Sequence, residues 1–337
     1  MKMSVGTRKA IHQRLEEDKR RIYGDQPGFA FQPFKGLMAA TFTPLSEDSY
    51  SVDLSNIDAY AKDLVSQGVV GIFVNGTSGQ STSITVEERK QIVDAWIKTE
   101  PVVSGKLKII VHVGCDSIVD ILNLSKHASK YSSTIQGVAV MSPSYFKPQS
   151  ATDVAELLAR VAHTIPKIPV YYYHIPFMNG INVSVAETLM KARTLAPNVI
   201  GCKFTSTDFA DLQRCTKNGF NCLVGADDML SYALAAGVDG AIGITYNFVG
   251  KLHAAIIDAY MKGHHTEAHE MQKQSTELMY HIKASGNLNG ACFYLFEKQR
   301  GISLGASRFP VYKLDDDLKL PLEKYVSDQK MNNSPFF

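Results

Sequence analysis

The sequence has almost no excess charge and no long apolar run, and each of these absences excludes a class of protein. The formal net charge is +2 and the basic residues are scattered, so there is no electrostatic case for nucleic-acid binding. The apolar runs are strand-sized, far short of the roughly 20 residues needed to span a bilayer. The N-terminus lacks the apolar region of a signal peptide. We therefore expect a cytoplasmic protein that binds neither nucleic acid nor membrane.

Cysteine is also scarce, and its spacing matches neither a disulfide framework nor a zinc site. The five cysteines are Cys115, Cys202, Cys215, Cys222 and Cys292. Their number is odd, they are widely spaced, and three of them lie in or beside predicted strands. This favours reduced thiols in a reducing compartment. No CxxC pair and no His/Cys cluster has zinc-site spacing, so the sequence predicts no metal.

What the sequence does contain is a regular alternation of short apolar runs with amphipathic segments of helical period. The predicted strands are residues 36–42, 69–74, 108–113, 138–141, 168–173, 199–204, 222–224 and 240–244. Helical stretches follow them, for example 55–67, 86–98, 151–163 and 228–236. Eight buried strands that each lead into a helix favour an α/β fold, the (β/α)8 TIM barrel. An open doubly wound sheet is the competing arrangement.

The alternating pattern covers only part of the chain, and this predicts three segments. Residues 34–262 form the predicted barrel. Residues 263–337 are predicted to be additional C-terminal helices and a tail, with Gly286 as a break between two helices. Residues 1–33 form an N-terminal extension with charges of both signs and few apolar residues, so any helix there is weakly amphipathic. We expect it to pack on the barrel or to be partly disordered.

Lys203 is the most informative residue, because it is a lone cation in an apolar, strand-like run. Burial destabilises an ammonium group relative to the neutral amine, so the pKa of a buried lysine falls. The neutral amine is a nucleophile that condenses with a ketone to form a Schiff base. The alternative is a lysine at a strand end that reaches water with its ammonium group.

In a barrel enzyme the chemistry lies at the carboxyl ends of the strands, so the residues just past each apolar run are site candidates. After the second run, Thr77 and Ser78 lie between two glycines, in a turn whose N–H groups and hydroxyls can hold an anion. Tyr145 follows the fourth run, where a phenol can relay protons. The seventh run leads to Asp227 and Asp228, at least one of which we expect to cap the next helix.

In order and spacing, a set of short motifs resembles the dihydrodipicolinate synthase and N-acetylneuraminate lyase family, the pyruvate-dependent class I aldolases on a (β/α)8 barrel. The resemblance covers about residues 34–310. The motifs are Gly76-Thr-Ser-Gly79, His112-Val-Gly114, Tyr145 two residues after Pro143, Tyr171-Tyr-Tyr-His-Ile-Pro176, Lys203-Phe-Thr205 and Gly243-Ile-Thr-Tyr-Asn247. Each motif alone is weak, whereas the ordered set is specific.

The resemblance implies a mechanism and a set of roles. Lys203 forms the Schiff base with a 2-keto-3-deoxy acid, and Tyr145 moves the proton of the C4 hydroxyl. Thr77 and Ser78 hold the substrate carboxylate. The remaining implied substrate-binding residues are Tyr173, Thr205, Gly225, Asp227, Asp228 and Ile244. The implied reaction is reversible cleavage of N-acetylneuraminate to pyruvate and N-acetylmannosamine by a homotetramer that needs no metal and no organic cofactor.

Three residues depart from the family pattern, and they leave alternatives open. Gln80 replaces the usual glutamate after the glycine-hydroxyl turn, and Asp228 stands where glutamate is common. Ile244 replaces a serine and cannot hydrogen-bond a glycerol hydroxyl, which affects the specificity for the sugar tail. The alternatives are an aldolase for another 2-keto-3-deoxy sugar acid, a condensing enzyme of the dihydrodipicolinate synthase type, and a catalytically silent barrel that binds sugar acids.

Overall fold

The computed structural model describes residues 5–23, 28–331 and 335–336. Eight short strands hydrogen-bond to one another in sequence order and close into a barrel, which confirms the predicted (β/α)8 fold. The strands are β1 (Gly36–Ala40), β2 (Gly71–Val74), β3 (Lys108–His112), β4 (Ile135–Met141), β5 (Val170–His174), β6 (Val199–Phe204), β7 (Asn221–Val224) and β8 (Gly240–Gly243).

Helices connect the strands and continue beyond the last one. They are α1 (Val5–Tyr23), α2 (Ile57–Ser66), α3 (Val86–Lys98), α4 (Glu100–Val103), α5 (Ile118–Ser129), α6 (Ala151–Thr164), α7 (Pro176–Asn179), α8 (Val185–Leu195), α9 (Phe209–Lys217), α10 (Leu230–Ala235), α11 (Tyr246–Met261), α12 (His265–Ala284), α13 (Leu288–Arg300) and α14 (Asp316–Met331). Gly286 separates α12 from α13 as predicted, with the positive φ of 71° that favours glycine. No described helix is both long enough and apolar enough to cross a membrane.

The chain forms two compact units, one of residues up to Phe34 with His112–Leu223, the other of Lys35–Val111 with Val224–Phe337. The predicted three-segment division stays a prediction. Residues 1–4 and 24–27 of the predicted extension, and 332–334 and 337 of the predicted tail, lie outside the described residues.

In the first unit, α1 packs on α6 and α8, so the described part of the N-terminal extension is a packed helix. The Tyr23 hydroxyl, at the end of α1, lies 2.5 Å from Asn198 Oδ1 and 3.0 Å from the Ala162 carbonyl oxygen. Asn198 in turn donates to the Ile168 carbonyl oxygen at 2.9 Å. These bonds tie the end of α1 to the segment that enters β6.

In the second unit, a cluster of aromatic side chains joins the C-terminal helices to the helices around the barrel. Phe42 packs edge-on against Phe296 of α13, with ring centres 5.4 Å apart. Tyr60 of α2 contacts both Phe296 and Trp96, at 4.7 Å and 5.3 Å between ring centres. All four rings are buried, and aromatic pairs of this geometry add about 0.5–1.5 kcal/mol each beyond their burial.

Five of the helices that follow strands begin with a side chain that accepts a hydrogen bond from the backbone of the first turn. Each such bond satisfies one of the N–H groups that have no partner within the helix. The capping residues are Thr85 for α3, Ser117 for α5, Ser150 for α6, Ser184 for α8 and Asp208 for α9. At α3 the Glu88 side chain also accepts from the Thr85 N–H, which completes a capping box. These helix starts are therefore encoded locally in the sequence.

Candidate active site

Every predicted site residue lies at or just beyond the carboxyl end of a strand. Lys203 and Tyr173 are near the ends of β6 and β5, and the others follow β2, β4, β6, β7 or β8 by one to four residues. In a TIM barrel these strand ends carry the active site. The two compact units hold different members of the set, and each unit is described by itself.

In the first unit, Lys203 is buried, with 4% of its surface exposed. It is the register partner of Tyr173 on β5, and its Nζ lies 4.3 Å from the centre of the Tyr173 ring. The ring face attracts an ammonium group. The edge of the His112 ring packs against Tyr173 at 5.6 Å between centres. Lys203 therefore packs against the Tyr173 ring, and His112 of β3 supports that ring from another side.

The backbone around Lys203 depends on a neighbouring glycine. Gly201, two residues earlier on β6, lies so close to β7 that a Cβ atom would meet the Asn221 carbonyl oxygen at 1.9 Å. No side chain fits at this position. Gly201 thus allows the close approach of β7 to the strand that carries the lysine.

Thr205, the first residue after β6, is buried and has a hydroxyl without a hydrogen-bond partner. Its N–H donates to the His174 carbonyl oxygen at 2.9 Å, which fixes its backbone next to β5. A buried hydroxyl ordinarily has a partner, because leaving it unsatisfied costs about 1–3 kcal/mol. Thr205 therefore has an unused hydrogen-bonding group two residues from Lys203.

Tyr145 lies on the loop after β4 and is 81% exposed. The Asp116 carboxylate, on the loop after β3, accepts from the N–H groups of Ser144 at 2.5 Å and of Tyr145 at 3.2 Å. Burial raises the pKa of Asp116, but these hydrogen bonds outweigh burial and the net shift is downward. Sequence reasoning missed Asp116, although its position just past a strand end was a signal.

His174, the last residue of β5, is a packed core histidine. Its ring lies between Tyr172 and Phe204, at 5.7 Å and 5.5 Å between ring centres. Burial lowers the pKa of His174 to about 4, so the imidazole is neutral at pH 7.

In the second unit, residues 76–81 form a tight turn after β2. The N–H groups of Gly79 and Gln80 donate to the carbonyl oxygens of Gly76 and Thr77, so both are used within the turn. Ser78, between Thr77 and Gly79, is buried. The Gln80 side-chain oxygen accepts from the Arg308 N–H at 3.0 Å. An amide oxygen thus makes a structural hydrogen bond where the family pattern has a glutamate.

The prediction that Asp227 or Asp228 caps the next helix is wrong. A 3-10 turn, Asp227–Met229, precedes α10, and neither element has a side-chain cap. Asp227 is buried, and its Oδ2 accepts from Thr245 twice, at 2.7 Å from the N–H and 2.5 Å from the hydroxyl. Asp227 therefore bonds to Thr245, just after β8, instead of capping the helix that follows it.

Asp228, beside it, forms an ion pair with Lys283 of α12, with 2.5 Å between Oδ2 and Nζ. Gly225 is half-buried, and Ile244 is buried with an apolar side chain after β8. The residues that the resemblance assigns to substrate binding thus include one carboxylate, Asp228, that is already paired with a cation and one position, Ile244, with no hydrogen-bonding side chain.

Comparison with known proteins agrees with this geometry. Residues 33–329 match the dihydrodipicolinate synthetase family. A Danio rerio protein named N-acetylneuraminate lyase is 36% identical over 282 residues, which cover 82% of this chain and 90% of that protein. The solved N-acetylneuraminate lyase (sialic acid aldolase) of Aliivibrio salmonicida has a TM-score of 0.82 and 34% identity, covering 91% of this chain and 99% of that one.

A second solved structure, the N-acetylneuraminate lyase of Proteus mirabilis, has a TM-score of 0.81 and 30% identity, and covers 91% of this chain and 100% of that one. The similarity thus spans nearly the whole chain in sequence and in fold. The chain belongs to the dihydrodipicolinate synthetase family and groups there with the N-acetylneuraminate lyases.

Proposed function

We propose that this chain is a class I aldolase that reversibly cleaves N-acetylneuraminate to pyruvate and N-acetylmannosamine. The observation that carries the proposal is Lys203, a buried lysine near the carboxyl end of a barrel strand, held against the Tyr173 ring. Moving a lysine ammonium group from water into a buried site costs free energy, so a buried lysine usually has a structural or chemical role. The relatives named N-acetylneuraminate lyase support the choice of substrate.

The proposed chemistry begins at the Lys203 amine. Its nitrogen bonds to C2 of the open-chain keto acid, and the ketone oxygen leaves as water, which gives a protonated imine. The C3–C4 bond then breaks, and its electron pair moves into the imine to form an enamine. The C4 hydroxyl loses its proton as C4 becomes the aldehyde of N-acetylmannosamine. A proton adds to C3 of the enamine, and water hydrolyses the imine to pyruvate and the amine.

We assign the proton transfer at the C4 hydroxyl to Tyr145. Its position after β4 supports the role, and the Asp116 bond to its backbone N–H fixes where the loop presents the side chain. Its exposure leaves the phenol able to exchange protons with water.

We assign the substrate carboxylate to the turn after β2. Thr77 and Ser78 supply hydroxyl groups at a strand end, and the bonds within the turn hold the loop in shape before substrate arrives. Thr205 offers its hydroxyl, and Tyr173, Gly225, Asp227, Asp228 and Ile244 are assigned to substrate binding by their strand-end positions.

Reductive trapping tests the proposal. Incubation with pyruvate and borohydride converts the imine to a stable secondary amine, and we expect peptide mass mapping to locate the adduct on Lys203. Lys203→Met, which roughly preserves side-chain volume, should abolish labelling and turnover with an unchanged circular dichroism spectrum. Lys191→Ala, an exposed lysine of the same unit, is the matched control and should label normally. An adduct on another lysine, or none, would contradict the assignment.

A second candidate is an aldolase for another 2-keto-3-deoxy sugar acid. Ile244 and the Asp228–Lys283 ion pair favour it, because both reduce the hydrogen-bonding groups offered to a polyol tail. Pyruvate release across a panel of keto acids distinguishes the two. We also propose, on the family resemblance and the reduced cysteines, a cytoplasmic homotetramer, and light scattering coupled to gel filtration tests the tetramer.

A further inference from the structure

Three cysteines that are far apart in the sequence meet in the core of the first unit. Cys202 lies on β6, Cys215 on α9 and Cys222 on β7, and all three are fully buried. Their sulfur atoms lie within 4.8 Å of one another, and the Cys202 and Cys222 sulfurs are 3.8 Å apart. A disulfide bond is about 2.05 Å long, so these are three reduced thiols in mutual contact.

The cluster is separate from the candidate active site. Successive side chains of a strand point to opposite faces of the sheet, so Cys202 faces away from the side that carries Lys203. It faces α9, which supplies Cys215. The remaining cysteines, Cys115 and Cys292, are not part of this group.

The spacing of the sulfur atoms suits a metal ion. A zinc–sulfur bond of about 2.3 Å implies sulfur–sulfur distances of about 3.8 Å in a tetrahedral site and about 4.0 Å in a trigonal one. The 3.8 Å between the Cys202 and Cys222 sulfurs is about 0.2 Å shorter than the trigonal value. The Cys215 sulfur lies within 4.8 Å of both, close enough to join them with a small movement. Within the described ranges, no histidine nitrogen or carboxylate oxygen completes the group.

The number of ligands decides which ion fits. Structural zinc sites use four protein ligands, whereas this group has three, all sulfur. Thiolates select soft ions, of which monovalent copper needs no fourth ligand. We propose that Cys202, Cys215 and Cys222 form a three-sulfur binding site for Cu⁺, which would join β6, β7 and α9.

The helix that covers the group bears on how an ion reaches it. Cys215 lies on the buried side of α9, a helix of nine residues whose outer face is exposed. So short a helix is marginal without its packing. We expect its local opening to give an ion a path to the sulfurs.

The test is an anaerobic titration of the reduced, metal-free chain with Cu⁺ held by the coloured chelator bicinchoninate. We expect the chain to remove one Cu⁺ from the chelator and to gain near-ultraviolet thiolate-to-copper absorption. Cys215→Ala should lose this uptake while its circular dichroism spectrum stays unchanged. Should that variant fail to fold, Cys215→Ser serves in its place. Cys292→Ala removes an equally buried cysteine outside the group and should retain uptake.

Several outcomes would overturn the proposal. Failure of the wild-type chain to take up Cu⁺ would leave the cysteines as ordinary small core residues. Uptake retained at wild-type affinity in Cys215→Ala would contradict binding by three sulfur atoms, and uptake of Zn²⁺ but not Cu⁺ would contradict three-coordinate binding. Fewer than five reactive thiols in the denatured, unreduced and metal-free chain would identify a disulfide-forming group instead.

Discussion

Tyr173 and Lys203 are register partners on neighbouring strands, and the lysine nitrogen lies 4.3 Å from the centre of the tyrosine ring. The lysine nitrogen lies over the face of the ring. We therefore expect the ring to position the amine by limiting the conformations of the four methylene groups of the lysine side chain.

This relationship predicts different effects for two substitutions of Tyr173. Tyr173→Phe keeps the ring and its contact with His112, so the rate of reductive trapping with pyruvate should change less than about twofold. Tyr173→Leu removes the ring and should slow trapping by about tenfold, because the amine loses its fixed position. Trapping rates at saturating pyruvate measure both. Equal losses would instead implicate the hydroxyl.

Tyr145→Phe should lower kcat by about 10²-fold, the contribution of one acid–base group. Imine formation precedes the proton transfer, so the trapping rate should stay the same. Tyr50→Phe removes the hydroxyl of a similarly exposed tyrosine, 86% against 81%, and should leave kcat unaltered. An unchanged kcat in Tyr145→Phe would remove this phenol from the mechanism.

Ile244→Ser should lower KM for N-acetylneuraminate more than for a six-carbon 2-keto-3-deoxy acid that lacks the tail. The serine restores a hydrogen-bond partner, and an unpaired buried hydroxyl costs about 1–3 kcal/mol. Ile244→Val keeps the side chain apolar and should leave the ratio of the two KM values unchanged. Equal effects of Ile244→Ser on both substrates, measured by pyruvate release, would show that Ile244 does not contact the sugar tail.

Glu88 and Arg308 form a two-point ion pair in the second unit, at 2.8 Å and 2.9 Å, with both side chains largely buried. The Arg308 guanidinium holds the pKa of Glu88 below its ordinary value. Glu88→Gln should therefore lower the free energy of unfolding at pH 7 by about 1–3 kcal/mol. Denaturant titration measures the loss, and Glu87→Gln, at an exposed neighbouring glutamate, should change little.

The Glu88–Arg308 pair also predicts how the stability of the protein changes with pH. Because the folded-state pKa of Glu88 lies below the unfolded value of about 4.3, its contribution is complete above that value and is lost as the pH falls through the folded pKa. The difference in stability between wild type and Glu88→Gln should therefore shrink in acid. A difference that stays constant from pH 7 to pH 3 would contradict this linkage.

Much of the fold was predictable because it is encoded in local patterns. The predicted strand 199–204 coincides with β6, and the predicted helix 86–98 coincides with α3, which Thr85 caps. By contrast, α14 contains Pro321, a residue that ordinarily ends or kinks a helix, so this helix was not predictable from a local pattern.

The sequence offered candidate site residues, which stay predictions, but it gave no signal for several of their hydrogen-bond partners. A lone cation in an apolar run pointed to Lys203, and the family resemblance added Thr205. The bond from Thr245 to Asp227 joins residues 18 apart and had no local signal. The three-cysteine group was missed for the same reason. Zinc motifs are recognised by close spacing, and here β6, α9 and β7 bring together residues that no such spacing connects.

The capped helix starts affect how the loops of this barrel can evolve. Five helices carry their own start signal in Thr85, Ser117, Ser150, Ser184 and Asp208, so their first turns do not depend on the loops before them. A loop that ends at its capping residue can be lengthened, shortened or exchanged without unwinding the helix that follows. Substrate preference in such a scaffold can evolve, or be redesigned, by replacing loops one at a time, with the grafting point set immediately before each cap.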